Sequence, residues 1–75
     1  MPSLDQIAVG SKGFITQIEG EDSTSQRLME MGVIEGEPFE LLAVAPMGDP
    51  LEIKIQGYRL SIRKTEASQV LVQLT

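Results

Sequence analysis

Leu51-Glu52-Ile53-Lys54-Ile55-Gln56-Gly57-Tyr58-Arg59-Leu60-Ser61-Ile62-Arg63 holds the clearest structural instruction in the chain. Leu51, Ile53 and Ile55 alternate with Glu52, Lys54 and Gln56; Tyr58, Leu60 and Ile62 then alternate with Arg59, Ser61 and Arg63. A period of two places the apolar members of a strand on one face and the polar members on the other. Only Gln56-Gly57 separates the two runs, and a connection that short reads as a tight antiparallel hairpin. With Ile55 opposite Tyr58, Lys54 falls opposite Arg59 and Glu52 opposite Ser61. Two like charges side by side cost a few tenths of a kcal/mol unless offset. Glu52 lies diagonal to both Arg59 and Arg63 and is placed to offset them.

The segments around this hairpin are short and punctuated by glycine and proline, the rhythm of a small all-β domain. Upstream, Ala45-Pro46-Met47-Gly48-Asp49-Pro50 is a loop in which the prolines end strand pairing and the glycine permits a tight turn. Before it, residues 39–45 read as a strand that is apolar on much of both faces, entered from a turn at Glu35-Gly36. One helix is expected, with Ser23 as N-cap and Gln26 completing a capping box. Leu28 and Met31 share its inner face, and Gly32 stands where a left-handed C-terminal cap is wanted. A helix of eight or nine residues is too short to stand alone in water, so it must lean on the sheet. Gly20-Glu21-Asp22 reads as an acidic, exposed connection. Residues 14–18 form a first strand, preceded by one helical turn over residues 3–7 with Leu4 and Ile7 facing inward. Downstream, a helical turn around Thr65-Glu66-Ala67 leads to a last strand over residues 70–74. Phe14 and Phe39 are expected in the core. The fold class is therefore mainly β: a small, partly open barrel of about five strands with one short helix.

Seventy-five residues make one domain, 1–75, with a thin core. With no cysteine and no histidine, neither a disulfide nor an ordinary zinc site supports the fold. Absence of cysteine fits a reducing compartment. Eleven carboxylates against six basic residues give a net charge of −5, which disfavours a nucleic-acid partner and an anionic membrane surface. No apolar run approaches the roughly 18 residues of a membrane span, and the N-terminus lacks a basic-then-apolar leader, so a cytoplasmic location is expected.

The usual acid–base and thiol chemistries have no carriers here. Carboxylate neighbours such as Glu19 with Glu21, or Glu35 with Glu37, sit in or near turns, and no GxxxxGK phosphate loop is present. The expectation is no enzyme, no catalytic residue and no cofactor. For a transition metal the chain offers only carboxylates, methionine thioethers and backbone oxygens, and Met29, Met31 and Met47 read as packing or contact residues. Asp49 at a loop tip is a single carboxylate, so no metal site is expected. A proline-peptide groove needs aromatic walls that this chain, with two Phe and one Tyr, does not supply.

Taken in order, these landmarks resemble the ferrous iron transport protein A family of bacteria. Leu4, Gly10 and Ile15 match its opening. Ser25-Gln26-Arg27-Leu28-Met29-Glu30-Met31-Gly32 with Gly36 is similar to its helix-and-turn signature, and Ala45-Pro46-Met47-Gly48-Asp49-Pro50 to its most recognisable loop. Ile53, Gly57, Leu60-Ser61-Ile62-Arg63 and Glu66-Ala67 continue the match towards Val72. The resemblance implies an SH3-like barrel in the cytoplasm that binds the cytosolic region of a GTPase-type membrane ferrous iron transporter and modulates it. It also directs attention to transition-metal ion binding, for which the residues supply no site. The same barrel occurs at the C-terminal end of iron-dependent repressors, so the alternative is a free-standing sensing or scaffold domain. A start at Met1 without preceding DNA-binding helices favours the accessory. Two surfaces are candidates for docking: the basic face of the hairpin, Lys54, Arg59 and Arg63, and an apolar one formed by Met29 and Met47. An unpaired barrel edge also leaves room for a homo-oligomer.

Overall fold

The 51–63 stretch folds in the register its alternation dictates, with Ile55 opposite Tyr58, Lys54 opposite Arg59, Ile53 opposite Leu60 and Glu52 opposite Ser61. This computed structural model describes residues 1–20 and 22–75. The expected acidic connection and the Glu19–Glu21 neighbours both involve Glu21, which lies outside the described residues. In chain order the strands are β1 (Lys12–Ile18), β2 (Pro38–Val44), β3 (Leu51–Ile55), β4 (Tyr58–Ile62) and β5 (Val70–Leu74). Helix α1 (Ser23–Glu30) joins β1 to β2, and the four-residue α2 (Lys64–Ala67) joins β4 to β5. A 3-10 turn over Leu4–Gln6 precedes β1. Positive φ at both Gln56 and Gly57 gives the hairpin the turn twist that suits its strands.

All five strands form one antiparallel sheet in the order β4-β3-β2-β1-β5. Flat, such a sheet would be about 10 Å thick with its side chains. The molecule measures 29 × 25 × 24 Å, and the sheet, with the helices packed on it, bends around one apolar cluster to which all five strands contribute. Two bulges help it turn, between Leu41 and Ala43 in β2 and between Ile15 and Gln17 in β1. The first explains why β2 reads as apolar on both faces: Leu42 is the extra residue, and Ala43 and Val44 beyond it are exposed. Leu4, Ile15, Leu28, Leu41, Ile53 and Val72 are representative of the single buried cluster that every strand feeds.

Helix α1 departs from its expected start. Asp22, not Ser23, is the N-cap: its carboxylate accepts from the Ser25 N–H at 3.1 Å, while the Ser25 hydroxyl donates to the Asp22 carbonyl at 2.9 Å. An ionised cap is a stronger acceptor than a hydroxyl, and it sits at the positive end of the helix dipole. The C-terminal end is as expected. Gly32, at φ +100°, lets the Val33 N–H reach the Leu28 carbonyl at 3.0 Å and the Gly32 N–H reach the Met29 carbonyl at 3.1 Å. The hairpin tip closes over this end, with Tyr58 Oη donating to the Met31 carbonyl and Gln56 Nε2 to the Gly32 carbonyl at 3.1 Å. A β-carbon at Gly32 would lie 3.0 Å from that tyrosine oxygen, so the position is held by space as well as by φ.

Phe14 corrects a second expectation. It is 45% exposed, because the strand alternation that buries Gly13 and Ile15 turns Phe14 outward. Its register neighbours are Pro38 and Gln73. Phe39 does join the core.

Among the described residues, Glu66 is the buried charge of the fold. One of its oxygens accepts from the Arg63 N–H at 2.8 Å as α2 begins, and the other pairs with the Arg27 guanidinium of α1. Both helices and the end of β4 therefore meet at one carboxylate. Glu66→Ala is expected to lower stability by about 1–3 kcal/mol, since it strands a backbone donor and an ion-pair partner together. Arg27, whose side chain is 58% exposed against 8% for Glu66, is expected to lose less on replacement by alanine. Urea denaturation of the two variants measures both; equal losses would refute the central role given to the carboxylate.

Candidate functional site

The hairpin register sets the first candidate surface. Lys54 and Arg59 are cross-strand neighbours on the outer face of the sheet, both exposed. The row extends further than the hairpin, because Lys54 is also opposite Glu40 of β2, and Glu40 opposite Lys12 of β1. Lys12-Glu40-Lys54-Arg59 thus runs across four strands. Arg59 Nη1 is 2.9 Å from Glu52 Oε1, an exposed pair worth at most about 1 kcal/mol. Among the described residues Glu52 pairs with Arg59 and not with Arg63, so the expected sharing between two arginines is not made. Arg63 stands just beyond β4, as N-cap of α2, exposed and beside Asp49, Pro50 and Ser61 around a cavity of about 320 Å³.

Asp49 has a structural task of its own. Its carboxylate accepts from the Lys64 N–H at 3.0 Å, tying the β2–β3 loop to the start of α2. No group of three or more His, Cys, Asp or Glu that could hold a metal ion occurs among the described residues. No helix among them is long and apolar enough to cross a membrane.

The apolar candidates divide. Met29 is 48% exposed on α1, a hundred degrees round from the buried Leu28, and lines a cavity with Gln17, Ile18, Ile34 and Glu35. Met47 is 91% exposed at the tip of the β2–β3 loop and is not part of that lining. Met29 therefore keeps company with Ile18 and Ile34 around that cavity, whose lining Met47 does not join. Lys12 and Glu40 were not legible as members of the basic row, because their places depend on pairing between β1, β2 and β3, which no local pattern reports.

Fold and surface together define a small antiparallel β-barrel of the SH3-like kind. The chain belongs to the FeoA domain family, which matches residues 3–74 and is linked to ferrous iron transport. A curated relative from Porphyromonas gingivalis, the Fe(2+) transport protein A/Fe(2+) transporter FeoB fusion protein, is 30% identical over 71 residues. That match takes in 95% of this chain but only 8% of the fusion protein's length. The FeoA-like protein of Clostridium acetobutylicum superimposes with a TM-score of 0.91 at 34% identity, over 97% of this chain and 85% of that one. Stenotrophomonas maltophilia FeoA, solved in complex with zinc and described as a prokaryotic SH3 domain protein, gives 0.83 at 25% identity, over 97% and 91%. A manganese-dependent transcriptional repressor shares the fold alone: TM-score 0.91 at 15% identity, over 99% of this chain and 41% of that one.

Proposed function

We propose that this chain is a cytoplasmic, non-enzymatic accessory of ferrous iron uptake that docks on the cytosolic region of a GTPase-type membrane iron transporter. The observation that carries this reading is the fusion in Porphyromonas gingivalis, where the equivalent of 95% of this chain is joined to FeoB in one polypeptide. Covalent linkage gives a weakly binding module an effective concentration in the millimolar range for short linkers, which favours fusion of parts that act on each other. A separate chain must find the same partner through its surface, and the exposed Lys54–Arg59 face supplies a local positive patch on a molecule of net charge −5. Binding one conformation of the transporter's cytosolic region more tightly than another shifts the balance between them by that difference in affinity. Iron itself is the cargo of the transporter and needs no ligand from this chain.

The test is binding of the purified protein to the purified cytosolic region of the ferrous iron transporter from the same cell. Saturable binding that weakens with added salt is expected. The double variant Lys54→Glu, Arg59→Glu is expected to bind at least about tenfold more weakly, a change of about 1.4 kcal/mol. No saturable binding by the wild-type protein would sink the proposal.

A further inference from the structure

The two edges of the sheet are treated differently. On the β5 side the N-terminal segment closes the edge: the Val72 N–H donates to the Pro2 carbonyl at 2.9 Å, and Ser3 makes an isolated antiparallel bridge with Leu71. On the β4 side no described residue gives such cover. Ile55 and Tyr58 flank a two-residue turn, so they form a hydrogen-bonded pair, and the pattern then alternates along the strand. Tyr58, Leu60 and Ile62 direct their backbone groups to β3, while Arg59 and Ser61 direct theirs away from it. Among the described residues these outward N–H and C=O groups have no backbone or side-chain partner, and both residues are exposed. At the next outward position the pattern stops, because the Arg63 N–H is taken by Glu66 and its carbonyl by the Ala67 N–H at 2.9 Å. The open stretch is therefore short and bounded.

We infer that the free edge of β4, at Arg59 and Ser61, receives an extended acidic segment of the partner as an added sixth strand. The inference rests on the docking reading above and names how the partner is held. An unpaired strand edge offers main-chain hydrogen bonds to any extended chain, and the side chains beside it select which one. Here Arg59 and Arg63 stand along that edge, with Lys54 one strand in and Lys64 following. Three carboxylates close to this edge are committed, Glu52 to Arg59, Asp49 to the Lys64 N–H and Glu66 to the Arg63 N–H and Arg27. A strand with carboxylates at alternate positions sets them beside Arg59 and Arg63 while its backbone pairs with Arg59 and Ser61, and Lys54 adds positive charge from one strand further in. A second copy of this chain is a poor occupant: antiparallel pairing of two β4 edges about Leu60 sets each Arg59 opposite the other copy's Ser61, with the two arginines diagonal neighbours on one face and no carboxylate brought to either. Like charges across a strand pair are destabilising.

Proline at Ser61 isolates the edge. The Ser61 N–H faces away from β3, so the substitution removes the outward donor without breaking the β3–β4 ladder, a setting in which a strand tolerates proline. Ser61→Ala removes the side chain and keeps the donor. Against the purified cytosolic region of the transporter, Ser61→Pro is expected to bind at least tenfold more weakly, with Ser61→Ala within twofold of wild type. A second readout does not depend on how well the proline variant folds. Amide exchange at Arg59 and Ser61, fast in the free wild-type protein, is expected to slow at least tenfold in the complex. If wild type binds and Ser61→Pro binds equally well, or if those two amides exchange as fast in the complex as when free, the edge is not the contact and only this inference falls. If wild type does not bind, the docking reading falls and takes the inference with it. Protection of the same amides in the protein alone, rising with its concentration alongside a dimer in sedimentation, would assign the edge to a second copy and overturn the acidic-segment occupant.

Discussion

Gly13→Ala is expected to destabilise the protein by about 3 kcal/mol, the upper end for overpacking a tight site. Gly13 lies where β1 is flanked on both sides, opposite Phe39 of β2 and Leu74 of β5. A β-carbon built there falls 2.0 Å from the Gln73 carbonyl oxygen and 2.9 Å from Leu74 Cα. Both are backbone atoms, so no side chain can swing aside; β1 and β5 have to separate. The sign is diagnostic. Where the native backbone accepts alanine without a clash, replacing glycine stabilises a protein by about 0.4–1 kcal/mol through the unfolded chain. A loss of about 3 kcal/mol is a large part of the roughly 4–11 kcal/mol typical for this length, and corresponds to a melting point lower by about 12–24 °C. Thermal and urea unfolding of the variant settle the matter: a protein as stable as wild type, or more so, would mean that the two strands do not approach this closely.

Leu28→Ala is the second large effect, about 3 kcal/mol within the 2–5 expected for truncating a fully buried leucine. Leu28 is the buried apolar anchor of α1, an eight-residue helix that has no independent stability. Its carbonyl also receives the Val33 N–H that ends the helix, so anchor and cap sit on one residue. Met29→Ala, one position along and half exposed, is the matched control and is expected to cost well under 1 kcal/mol. Comparable losses at the two positions in chemical denaturation would show that the helix presents a different face to the barrel.

The contrast between these neighbours was legible in advance, because a rotation of about a hundred degrees per residue separates an inward side chain from an outward one. The cap of the same helix was not. Asp22 and Ser23 are both good N-cap residues, and the choice falls to Asp22 because it is the one whose carboxylate meets the Ser25 N–H, a matter of where the chain leaves β1. Phe14 was misplaced for a related reason. Bulk and apolarity argue for the core, yet its strand position is set by Gly13 and Ile15, and with Gly13 pressed against β5 the aromatic ring must face out. Among the candidate docking residues, Lys54 and Arg59 were placed together from the hairpin alone. That Met47 stays out of the cavity Met29 lines needed the path of the β2–β3 loop, which leaves no periodic trace in the sequence.

Short-range chemistry decided the hairpin, its register, the C-terminal cap at Gly32 and the all-β class, because each follows from side chains only a few positions apart. Composition decided that histidine and thiol chemistry have no carriers here. Folding alone decided which strand edge is closed, which carboxylate is buried between the helices, and how far the basic row reaches. Those features join residues that are distant along the chain, such as Pro2 with Val72 and Arg27 with Glu66. Their meeting is a property of the curled sheet, where one strand's neighbours are chosen by closure of the core and not by local pattern.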